Sequence, residues 1–120
     1  MSPPVAAHSW EVIADTLRNV IPSPSMADLV DRIVASPYAA KVHAFTSMDR
    51  LVVGPTPMID WSVHYLMIES IFRNGVERIR FRYECPGAPR RWQRECAPED
   101  AFATFERFLR LPGWSVPPPA

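Results

Sequence analysis

The sequence predicts an α+β fold: two N-terminal helices, a four- to five-stranded, mainly antiparallel sheet, and a C-terminal helix packed on one sheet face. Three observations lead there. The 120 residues are 48% hydrophobic and 22% charged, an ordinary globular balance. Apolar spacing changes from three or four residues to two near Lys41, and back again after Pro98. Between two long β-rich runs stands Asn74-Gly75, a pair that tolerates the positive φ of a type I′ hairpin turn. Strands grouped together and flanked by helices favour an antiparallel sheet covered on one face.

Taken in order, residues 1–7 and 115–120 are expected as loose ends of a single domain spanning 1–120, since short Pro-rich stubs cannot build a packed face. The first helix is predicted to start at Ser9, whose hydroxyl can cap the opening turn. Trp10, Ile13, Leu17, Val20 and Ile21 supply its apolar stripe, and Pro22 and Pro24 end it. A second helix is expected from Ser25, with Asp28 completing a capping box, and with Met26, Leu29, Val30, Ile33 and Val34 as its core side. Ser36-Pro37 closes it.

Lys41–Ser47 and Leu51–Gly54 then form a short hairpin around Met48-Asp49-Arg50, and Pro55 and Pro57 forbid its continuation as a central strand. Trp61–Phe72 and Val76–Cys85 are the two long strands, and Arg90–Cys96 a further one. The last helix begins near Pro98, with Glu99 and Asp100 complementing its N-terminal dipole. Its core side is Ala101, Phe102, Phe105, Phe108 and Leu109, its end Pro112-Gly113, and Trp114 folds back onto the domain.

A two-residue loop at Asn74-Gly75 makes Arg73 face Val76, and this fixes every later pair. Leu66 then opposes Tyr83, Ile68 opposes Phe81, and Ser70 opposes Ile79 on the side expected beneath the helices. On the reverse side Met67 opposes Arg82, Glu69 opposes Arg80, and Ile71 opposes Arg78. A slip of one residue would exchange the two faces, so burial pins the register.

That reverse face is the candidate binding surface: Arg78, Arg80 and Arg82, bordered by Tyr65, Met67 and Ile71. Formal net charge is zero, yet residues 1–70 carry four Lys/Arg against seven Asp/Glu, and residues 71–120 nine against six. Arginine beside aromatic and Met side chains suits protein interfaces and single-stranded nucleic acid alike. Overall neutrality weighs against nucleic acid and anionic membranes. The competing expectation is a solvated face with one Glu69–Arg80 pair.

The chemistry-bearing residues are sparse. Cys85 and Cys96 form no CxxC pair, so no metal site is expected. His64 would lie opposite Cys85 on the buried side, where a hydrogen-bonded core imidazole competes with a Cys–His nucleophile pair. His8 is read as solvated, and His43 and His64 fall on strands. No GxGxxG, GKS/T or GxSxG pattern occurs, and no cofactor is expected. The N-terminus lacks the pattern of a secretory signal, no apolar run approaches membrane-span length, and a cytoplasmic location with reduced thiols follows. The expected function is that of a non-enzymatic interaction domain that binds another protein or self-associates. A nucleic-acid-binding module, and a small enzyme or ligand binder using His43, His64 or Cys85, stand as alternatives.

Overall fold

The computed structural model describes residues 4–60, 64–84 and 92–111. They form β1 (Val5–Ala6), α1 (Trp10–Asp15), α2 (Pro24–Val34), β2 (His43–Ser47), β3 (Arg50–Gly54), β4 (Met58–Ile59), β5 (Tyr65–Arg73), β6 (Val76–Glu84), β7 (Trp92–Cys96) and α3 (Ala101–Leu109). The fold is α+β. Five strands make an antiparallel sheet in the order β2-β3-β5-β6-β7, and β1 pairs with β4 in a separate two-stranded sheet.

The central hairpin has the register that its turn dictates. Arg73 pairs with Val76, Ile68 with Phe81 and Met67 with Arg82, while Asn74 and Gly75 take φ of 53° and 78°. The β2–β3 turn uses the same device at Met48, with φ 59°. Leu66, Ile68, Ile79 and Phe81 point into the main core, where they meet Ile13 and Leu17, Met26, Leu29, Val30 and Ile33 of α2, and Phe105 and Phe108 of α3.

Local departures from the expected elements have physical causes. Ser9 caps α1 as expected, accepting from the Val12 amide. After Asp15, however, the chain loosens into a π-helical segment, Thr16–Val20. The wider turn carries Val20 and Ile21 off the buried stripe, and they stand 66% and 36% exposed. The second helix starts two residues early, with Pro24 in its first turn and no side-chain cap bond at Ser23. Ser25 is therefore not a cap: its hydroxyl donates to Glu77 Oε1 at 2.6 Å, and the Ser70 hydroxyl donates to Oε2 at 2.5 Å. Glu77 thus ties the head of α2 to the central hairpin. Asp28 pairs with Arg32 one turn on instead of closing a capping box.

Ser36 caps a 3₁₀ turn, Pro37–Ala40, and Tyr38 in that turn donates to Glu106 Oε2 at 3.0 Å and packs on Phe105. Lys41 and Val42 lie outside β2, and residue 64 lies outside β5, which extends to Arg73. Residues 4–7, expected as part of a loose end, include β1, held by Val5↔Ile59 and Ala6↔Met58 pairing. Pro98–Asp100 form a 3₁₀ turn that leads into α3. The readings at Trp61, Cys85, Pro112-Gly113, Trp114 and 115–120 fall outside the described residues. No helix among the described residues is long and apolar enough to cross a membrane.

Candidate interaction surface

The sheet face turned away from the helices closes at one end and opens at the other. Val52, Met67 and Phe45 face outward from β3, β5 and β2, and Ile59 of β4 drops onto them. Gly54 permits this approach: a Cβ there would lie 2.8 Å from Ile59 Cγ1. Val5, Ala7 and Tyr65 complete a second, smaller core under the β1–β4 sheet. Met67 is only 6% exposed, so it serves this core and offers little to a partner. Tyr65 is half-buried, and burial, followed by the Glu84 carboxylate across the strand pair, pushes its phenol above the ordinary value.

Beyond Met67 the charged rows begin. Glu69 is 8% exposed and forms an ion pair with Arg80, while Arg82 approaches its other oxygen at 3.7 Å. Arg82 also rests on Met67 Sδ at 3.2 Å. Two arginines therefore converge on one acid that the neighbouring strands shield from water. Low local dielectric strengthens such a cluster and raises the cost of removing any member. The pair foreseen as surface decoration is a partly buried structural element.

Arg73 donates to both oxygens of Glu95, at 2.7 and 2.5 Å. This fork pulls the Glu95 carboxyl below its ordinary range, chiefly through the hydrogen bond to Arg73, with Arg78 and Arg80 adding minor attraction. Arg78 itself makes no ion pair and no side-chain hydrogen bond among the described residues. It is half-buried beside Ile71, its cross-strand partner, and near Val76, which is 61% exposed. The six predicted residues thus share one face but divide by role. Tyr65 and Met67 seal it, Arg80 and Arg82 hold Glu69, and Ile71 and Arg78 form its half-buried open end.

Of the residues weighed for catalysis, Cys85 falls outside the described residues, and the others lie apart. His64 is 2% exposed on the helix side, 5.9 Å from the Tyr83 ring centroid, whereas His43 pairs with Gly54 on the opposite face. His8 lies edge-on to Phe45. Cys96 is a free thiol whose pKa is raised, mainly by burial, which disfavours the reactive thiolate. No group of three or more His, Cys, Asp or Glu among the described residues is arranged to hold a metal ion.

Sequence reasoning missed the β1–β4 cover and the exposed Phe72 at the hairpin tip. A signal for the first was present. Leu51-Val52-Val53 and Leu66-Met67-Ile68 are apolar without alternation, the mark of strands buried on both faces. No family model matches the chain, and neither do any curated protein and any solved structure.

Proposed function

We propose that this chain is a non-enzymatic interaction domain that meets another protein, or a second copy of itself, through the open end of its sheet face. The observation that carries the reading is Arg78: a guanidinium that forms no ion pair among the described residues and draws only weakly on Glu95, set beside Ile71 and the exposed Val76. Arginine flanked by apolar surface is the composition enriched at protein interfaces. The interleaved acids favour a protein over a nucleic acid, because Glu69 and Glu95 occupy the ground that a phosphate track would need. A cytoplasmic setting, with Cys96 reduced, fits the same reading.

The test compares the chain with Arg78→Gln by light scattering and by partner capture at two salt concentrations. Arg78 is the appropriate target, since neutralising Arg80 and Arg82 would strand Glu69 and disturb the fold as well. Weaker association or capture in the variant supports the proposal, and identical behaviour removes it. Retention of single-stranded DNA or RNA, falling steeply with salt, would transfer the face to the nucleic-acid reading.

A further inference from the structure

The two hydrophobic cores are fastened unequally. The main core gathers side chains from the five-stranded sheet and from α1, α2 and α3. The second core has four buried members, and three of them, Phe45, Val52 and Met67, belong to the five-stranded sheet itself. Ile59, 1% exposed, is the one buried side chain that the β1–β4 cover contributes. Val5 and Ala7 pack around it half-buried.

The backbone adds a light grip. Val5↔Ile59 and Ala6↔Met58 pairing joins β1 to β4, and the Ala7 amide donates to the Pro57 carbonyl at 2.8 Å within the same small sheet. A bond from the His8 amide to the Ala44 carbonyl, also 2.8 Å, ties this sheet to the edge of the larger one. A strand pair so short has no stability of its own, so it comes apart once Ile59 leaves its seat. Opening the cover returns one large apolar side chain to water, whereas opening the main core returns many. Pro55 and Pro57 restrict the link from β3 to β4 and keep an opened segment near its place.

We infer that β1 and β4 form a strap that opens by itself while the main core stays folded. Opening bares Phe45, Val52 and Met67 and lengthens the apolar end of the reverse sheet face. The bared slot adjoins the charged rows, because Met67 Sδ carries Arg82 at 3.2 Å. The strap therefore sets how much of that face meets solvent. It does not rest on the contact read at Arg78, and either can fail without the other.

Methionine oxidation reports the strap in the unaltered chain. Met48 and Met58 are 69% and 52% exposed, Met67 lies under the strap at 6%, and Met26 lies in the main core at 0%. Initial rates with dilute hydrogen peroxide, followed peptide by peptide by mass spectrometry, should rank Met48 and Met58 first, Met67 next and Met26 last. Met67 is expected to react about tenfold or more ahead of Met26, because Met26 alone waits for the whole fold to open. Ile59→Ala removes the anchor of the strap. It should bring Met67 close to the rate of Met58 and strip hydrogen-exchange protection from the Ala7 and His8 amides. Met26 should remain the slowest, and the amides of β5 and β6 should remain protected. Wild-type Met67 oxidising in step with either Met58 or Met26 overturns the strap. So does an unchanged Met67 rate in Ile59→Ala, or a loss of protection throughout the fold of that variant.

Discussion

On its helix side, strand β5 presents Leu66 and Ile68, which with Ile79 and Phe81 of β6 are wholly excluded from water. On its reverse side the same strand runs from the sealed Met67, through the partly shielded Glu69, to Ile71, beside the solvent-reaching Arg78 and Val76. Both faces belong to one register, yet one is covered by α1, α2 and α3 until it opens at Phe72 by the hairpin turn, and the other only by the four residues of β1 and β4. The difference shows how a short sheet can keep a full core and still leave a graded surface, apolar at one end and cationic at the other.

Substitutions that distinguish the two faces should fall in a clear order. Phe81→Ala removes a fully buried ring from the main core. It should cost about 3–5 kcal/mol in denaturant unfolding, whereas Phe72→Ala at the exposed tip should change stability by no more than about 0.5 kcal/mol. Equal losses at the two positions would break the contrast. Glu69→Gln leaves Arg80 and Arg82 facing a neutral amide in a site with little water. A loss of about 1–3 kcal/mol is expected, moderated because Arg82 keeps a third of its side-chain exposure.

Gly54→Ala tests the cover over the reverse face. The added methyl meets Ile59 at 2.8 Å, and overpacking of this kind costs about 1–3 kcal/mol. Faster amide exchange confined to β1 and β4 would locate the damage. Gly75→Ala meets nothing within 4 Å, so its cost is the backbone strain at φ +78° alone, about 1–2 kcal/mol.

The smallest effect concerns pH. Arg73 depresses the Glu95 carboxyl, so their bond contributes stability above the ordinary carboxylate range and loses it as pH falls through the depressed value. Carboxyl resonances followed by NMR should show Glu95 titrating low in the wild type and moving upward in Arg73→Ala. An unmoved titration would mean that the fork does not persist in solution.

Much of this contrast is legible in the sequence. Asn74-Gly75 fixes nine opposed pairs at once, because both residues accept left-handed backbone and the pleat then assigns every side chain a face. Capping by Ser9 is legible for a similar reason: it depends on neighbours a few residues away. The burial of Met67 and Glu69 is harder to read, since it depends on β1 and β4, some sixty and ten residues distant along the chain, and on the space left at Gly54. The distinct roles of Arg78, Arg80 and Arg82 escape pattern reading altogether. Alternation places all three on one face, but only three-dimensional packing shows which of them already has an acid.

The most direct test of the central claim is chemical modification of arginine by phenylglyoxal, read residue by residue by mass spectrometry in dilute and concentrated protein. Arg78 should become protected as concentration rises, while Arg94, exposed at the sheet edge over the Trp92 ring, reacts alike in both. Arg78 reacting equally at every concentration, and equally with and without a captured partner protein, would contradict the account.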